Sequence, residues 1–163
     1  MFLNFFDSQK KYTDADTLCL TPPEDWTTSV LSPWTYNHTQ IINPSPPISL
    51  IVGLENDVPL SVGQDWIHYY TNPLQIVQWT MASARNHSVV NDAIDHIVTM
   101  MKTMSTAEIL KTDVTLLTGP GPWTDAVHRS WHGNGFDWEL MRGFGSGSKM
   151  MGDMLVLPTY GFA

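Results

Sequence analysis

Ile48-Ser49-Leu50-Ile51-Val52-Gly53-Leu54 is a short apolar run, closed by Pro46-Pro47 on one side and by Glu55-Asn56-Asp57 on the other. Its length, its branched side chains and its prolines read as a buried β-strand. Downstream, Ser88 to Met104 carries the clearest helical period: Val89, Ala93, Ile97 and Met101 form one row, and Val90, Ile94, Val98 and Met101 the next. Asp92, Asp95, Thr99, Lys102 and Thr103 fall on the other side, so both apolar rows are expected to face the core, with Met100, Met101 and Met104 packed there. Ser105-Thr-Ala-Glu108 has the form of a capping box opening a short helix. Val114–Leu117 reads as a strand, Gly119–Pro122 as a sharp turn, Trp123–Trp131 as a helix, Gly143–Gly152 as a Gly/Ser-rich loop and Met154–Leu157 as a last strand. Upstream, Thr17–Leu20 reads as the end of a short strand and Pro22–Pro47 as a long surface loop. Trp66–Ser83 is expected to turn helical after Pro73. Short strands alternating with helices predict an α/β protein.

The chain has 163 residues, enough for one domain with a core, and a hydrophobic content of 42% supports a folded protein. Its formal net charge is -8, from 16 acidic and 8 basic residues. Such a surface repels nucleic acid and anionic lipid, so no nucleic-acid partner is expected. A polyphosphate ligand then needs a bridging cation or a local basic pocket, and the scarcity of Lys and Arg favours the cation. Cys19 is the only cysteine, so no internal disulfide forms, and Leu18-Cys19-Leu20 reads as buried. No segment is long and apolar enough for a membrane span, and Met1–Phe6 is too short for a leader. Asn37-His-Thr39 and Asn86-His-Ser88 are glycosylation triplets.

The sharpest chemical feature is Tyr12-Thr-Asp14-Ala-Asp16-Thr17. Two carboxylates one residue apart, where a strand meets a turn, offer hard oxygen ligands to Mn²⁺ or Mg²⁺, ions that also bind a diphosphate. The same spacing occurs in haloacid-dehalogenase-type phosphatases. Those need an apolar lead-in strand and a Thr two positions after the second Asp, whereas Gln9-Lys10-Lys11 and Leu18 stand here. His128 and His132, four apart, lack the Glu of a zincin helix and read as an exposed face. Gly145–Lys149 lacks the ending of a phosphate loop.

The string YTDADTLCLTPPEDW (residues 12–26) resembles the Asp-x-Asp region of the fungal initiation-specific α-1,6-mannosyltransferase family. The resemblance continues in order through Val52-Gly-Leu-Glu55, Gln75-Ile-Val-Gln-Trp-Thr80, Thr118-Gly-Pro-Gly-Pro-Trp-Thr-Asp-Ala-Val127 and Gly152-Asp-Met-Leu-Val-Leu-Pro158. It implies a Rossmann-like fold of the GT-A glycosyltransferase type. It also implies transfer of a hexose, mannose from GDP-mannose, to a glycan acceptor, with Mn²⁺ (or Mg²⁺) as cofactor and retention of configuration. By this resemblance Asp14 and Asp16 hold the metal and, with Tyr12, the donor diphosphate; Glu55 and Asp125 act on the acceptor side; Trp123, Gly119 and Pro120 touch substrate. A carboxylate on that side would bind sugar hydroxyls or deprotonate the acceptor. Trp123 would stack on a sugar face, and Trp79 would pack in the core. Asp125 also reads as a first-turn acid favoured by the helix dipole.

The resemblance further implies a Golgi setting and association with related mannosyltransferases. It divides the chain into an atypical segment, 1–11, and a partial glycosyltransferase domain, 12–163. Ser8-Gln-Lys-Lys11 stands where the family has a Tyr-Gly-Gly lead-in, so the chain is expected to be an incomplete copy with most of the N-terminal nucleotide-binding half missing. A non-catalytic glycan- or partner-binding remnant is the alternative expectation.

Overall fold

The computed structural model describes residues 10–13, 34–36, 39–41, 47–59, 63, 65–138, 142 and 148–159, the first three segments as backbone only. Asp14, Asp16, the expected strand end at Thr17–Leu20 with Cys19, and residues 143–147 of the Gly/Ser-rich stretch lie outside the described residues.

The apolar run forms the central strand β4, Leu50–Asp57, with Leu50, Ile51, Val52 and Leu54 fully buried. Around it are β1 (Lys10–Thr13), β5 (Leu74–Ile76), β6 (Thr80–Ser83), β7 (Lys149–Met151) and β8 (Met154–Leu157). The sheet order is β1-β6-β4-β8-β7, with β5 also paired to β4. β4 and β8 are parallel, with Leu50 opposite Met154 and Gly53 opposite Leu157; β6 is antiparallel to both β4 and β1. β1, β4 and β8 therefore point the same way, and their carboxyl ends lie at one end of the sheet. Both faces of the β4–β8 pair are buried, which is why each reads as an apolar run rather than an alternation.

Several sequence expectations are corrected here. Residues 74–83 form strands, not a helix. Val77 N–H bonds to Gly53 O at 2.8 Å, so β5 and β6 share the flank of β4, and sheet pairing overrides the local pattern. A hairpin of β2 (Trp34–Tyr36) and β3 (Thr39–Ile41) interrupts the expected long loop. Lys149–Met151, expected in a loop, is β7, which reaches β8 through a turn at Gly152, whose φ of +64° suits glycine.

Helix α1, Ser88–Thr103, begins at His87, whose Nδ1 accepts the Val89 N–H at 3.3 Å. The ring's other nitrogen meets Asp153 at 3.3 Å, and Ser49 Oγ donates to the same carboxylate, so α1 is tied to the amino ends of β4 and β8. Of the two apolar rows, Val89 and Ala93 are buried, while Ile94, Val98 and Met101 are 52%, 42% and 37% exposed. Periodicity located the stripe correctly, but the core covers only its amino-terminal part. The expected methionine core at Met100, Met101 and Met104 is likewise absent, since all three keep partial or full exposure.

Helix α2 (Thr106–Lys111) opens with the capping box: Ser105 Oγ accepts Glu108 N–H, and Glu108 accepts Ser105 N–H at 2.7 Å. Ser105 Oγ also donates to the Glu108 carboxylate at 2.7 Å, and this bond, together with the Ser105 N–H, lowers the pKa of the exposed carboxyl. Val114–Leu117 is not a strand but the one-turn helix α3, capped by Asp113. The Gly-Pro-Gly-Pro stretch is not a free turn either. Gly119 is the N-cap and Pro120 the first residue of α4, Pro120–Gly133, where a missing N–H costs nothing. A Cβ on Gly119 would meet Thr115 Cα at 2.7 Å, so glycine is required where α3 and α4 touch. Leu50, Val52, Leu54, Met154 and Val156 join Val89, Ala93, Trp123, Ala126, Val127 and Trp131 in one core between the sheet and the two long helices.

Candidate functional site

Open α/β sheets bind ligands outside the carboxyl ends of their parallel strands. At that end β4 carries a register shift between Leu54 and Asn56, which marks Glu55 as the irregular residue. Glu55 is half-buried, and its Oε2 accepts from Gln75 Nε2 at 2.6 Å. Asn56 is buried and donates to the carbonyls of Asn72 and Pro73 at 3.3 and 3.2 Å. Two residues beyond Glu55, Asp57 pairs with Arg142 at 3.0 Å, both side chains largely buried, and Arg142 also reaches Val58 O at 2.9 Å. The guanidinium lies 5.0 Å from the Trp138 ring centroid. Burial lowers the Lys149 ammonium below its usual value, while the Asp57 carboxylate pulls it back up. The few cations of this acidic chain thus include two beside the carboxyl end of β4.

The Thr118–Val127 block docks onto β5 through consecutive residues. Ile76 N–H donates to Thr124 Oγ1 at 3.1 Å, and Trp123 Nε1 donates to Val77 O at 3.0 Å. Gln75, immediately before, holds Glu55. The blocks at 52–55, 75–80 and 118–127 therefore meet at one strand, and the block at 152–158 lies beside β4 as β8. Tyr12 and Thr13 pair with Met81 and Thr80, so the first block enters at the next strand over. Thr13, the last residue of β1, lies toward the end of the sheet that carries Glu55.

Trp123 is 5% exposed and hydrogen-bonded, which makes it a core residue and not an open stacking face. Gly119 and Pro120 are half-buried at the α3–α4 contact. Asp125 is exposed, and because α4 starts earlier than expected it stands in the second turn, where the dipole argument loses force. Trp79 is half-buried. Tyr12 lies on β1 with only its backbone described. Among the described residues no cluster of three His, Cys, Asp or Glu could hold a metal, and Asp14 and Asp16 lie outside them. No described helix is long and apolar enough to cross a membrane.

His128 corrects the reading of an exposed histidine face. Its ring lies edge-on to Trp138 at 4.5 Å and tilted to Trp131 at 5.5 Å, and burial lowers its pKa to about 4. His132 is exposed. Sequence reasoning also missed Gln75 and Thr124. A polar residue in the apolar run Leu74–Val77 was the available signal for Gln75.

Two curated relatives carry the name initiation-specific α-1,6-mannosyltransferase. The Candida albicans protein is 27% identical over 186 aligned positions, covering 99% of this chain and 45% of the relative. The Schizosaccharomyces pombe protein is 31% identical over 121, covering 71% of this chain and 30% of the relative. The chain thus spans less than half the length of these relatives. No protein-family model and no solved structure matches it. Similarity along nearly the whole chain, in segments that the fold gathers around β4 and β5, supports its kinship with the initiation-specific α-1,6-mannosyltransferases.

Proposed function

We propose that the chain carries the donor- and acceptor-handling end of a metal-dependent hexosyltransferase, transferring mannose from GDP-mannose to a glycan acceptor in the Golgi. The observation that supports this reading is the common direction of β1, β4 and β8, which brings the lead-in to Asp14 and the Glu55 bulge to the same end of the sheet. Two carboxylates separated by Ala15 suit a hard divalent ion that also ligates a diphosphate. Bound there, Mn²⁺ supplies Lewis-acid neutralisation of charge on the departing nucleoside diphosphate. Asp14 and Asp16 hold that ion, with Tyr12 beside them. Arg142 and Lys149 add positive charge at the carboxyl end of β4. On the acceptor side, Glu55 binds or deprotonates a sugar hydroxyl. Asp125, on the exposed side of α4, is assigned to the acceptor approach. The fold type that fits this chemistry is GT-A.

The test is a transfer assay with GDP-mannose, Mn²⁺ and an α-mannoside acceptor, following GDP release and the extended glycan. Asp14→Ala and Asp16→Ala are each expected to lower turnover roughly 100-fold or more, the equivalent of several kcal/mol of transition-state stabilisation. Chelation of the metal is expected to do the same. Acceptor binding without turnover, unchanged by chelator, would instead identify a non-catalytic glycan-binding domain.

A further inference from the structure

Gln75 is 2% exposed, a carboxamide placed between Leu74 and Ile76 in a strand that is otherwise apolar. Burying an amide costs free energy unless both of its ends find partners. The oxygen end is well supplied: Oε1 accepts from Thr71 N and Thr71 Oγ1 at 2.8 Å each and from Asn72 N at 3.4 Å. Two of those donors are backbone N–H groups, which only an oxygen can face. They fix which end of the amide is which, and so they direct the Nε2 donor toward Glu55 Oε2, 2.6 Å away.

Glu55 is thus held by one oxygen at the irregular residue of β4. Its Oε1 accepts no hydrogen bond among the described residues, and the side chain keeps partial exposure. The oxygen end serves the fold by pairing the 71–72 turn, whereas fold stability alone gives little reason to hold the partly exposed Glu55 carboxylate, which water can solvate. We propose that Gln75 is a positioning residue. Braced by the 71–72 turn, it grips one oxygen of Glu55 and presents the other to a hydroxyl of the acceptor sugar. This role rests on the hexosyltransferase reading and adds to it a residue that touches no substrate.

Gln75→Glu separates the two ends of the side chain. The ionised carboxylate still accepts from Thr71 and Asn72 but cannot donate to Glu55. The exchanged pair, Glu55→Gln with Gln75→Glu, restores a donor–acceptor contact with its direction reversed and leaves no carboxylate at position 55. Each variant of the full chain is measured for kcat and KM in the GDP-mannose assay with Mn²⁺, and for its thermal midpoint. Gln75→Glu is expected to lower kcat roughly 10- to 100-fold with KM for the donor nearly unchanged, as for a misplaced reacting group. The exchanged pair is expected to recover the thermal midpoint but not kcat. Wild-type kcat in Gln75→Glu overturns the positioning role. So does an exchanged pair that regains activity along with stability, because Gln75 would then serve the fold alone. Absence of transfer by the wild-type chain overturns the hexosyltransferase reading itself, and the positioning role with it.

Discussion

Trp123→Ala is expected to destabilise the protein by about 3–5 kcal/mol, the range for deleting a buried tryptophan. The indole is 5% exposed and packs in the core with Val127, Leu74 and Ile76. Its N–H bonds to Val77 O at 3.0 Å, and Val77 N–H bonds in turn to Gly53 O at 2.8 Å, so the ring closes a path from α4 through β5 to the central strand. Trp123→Phe divides the effect. It keeps most of the ring but leaves the Val77 carbonyl without its partner, at a cost of about 1–3 kcal/mol. Urea unfolding monitored by circular dichroism measures both. An alanine variant within about 1 kcal/mol of wild type would mean that the ring is not packed as described, and would return it to a sugar-stacking role.

The second large effect is on pH dependence. Burial lowers the His128 pKa from 6.5 to about 4, which keeps the imidazole neutral between Trp131 and Trp138. From pH 6.5 down to about 4 the unfolded chain binds a proton that the folded chain refuses. Stability is therefore fully present above the unfolded value, declines as pH falls through this window, and levels off below the folded value. The total is on the order of 3 kcal/mol. Carboxylates also titrate on the acid side, so the informative quantity is the difference between wild type and His128→Phe. The phenylalanine variant is expected to lose less stability between pH 7 and pH 4.5. Parallel curves for the two proteins would contradict the buried, neutral histidine.

How far the sequence led depended on whether a signal was local. The helix at Ser88–Thr103 and the Ser105–Glu108 box were legible because a turn-by-turn period and a reciprocal cap are written into neighbouring residues. The strands at Leu50 and Met154 were legible as short apolar runs. Val114-Thr-Leu-Leu117 misled, because its composition suits a strand, whereas the Asp113 cap and the α4 start at Pro120 leave room for only one helical turn. Residues 74–83 misled for a different reason: what makes them strands is the free flank of β4, whose paired residues stand 17 (Leu74 to Asp57) to 33 (Ser83 to Leu50) positions away in the chain. A helical stripe records which side is apolar but not how much of it is covered, and Ile94, Val98 and Met101 remain exposed. The same limit applied to function. The ordered blocks were visible in the sequence, but their gathering at one strand, with Trp123 turned into the core, required the fold. Asp125 was read as a first-turn acid because proline and glycine concealed where α4 begins.

Asp14 and Asp16 are proposed to grip a divalent ion shared with the donor's diphosphate. Titration of the full chain with Mn²⁺, with and without GDP, followed by the electron paramagnetic resonance of the free ion, decides whether they do. Wild-type protein is expected to bind the ion and to bind it more tightly with GDP, and Asp14→Asn or Asp16→Asn to lose both effects. Equal Mn²⁺ affinity in wild type and the two variants, or binding that GDP leaves unchanged, would contradict it.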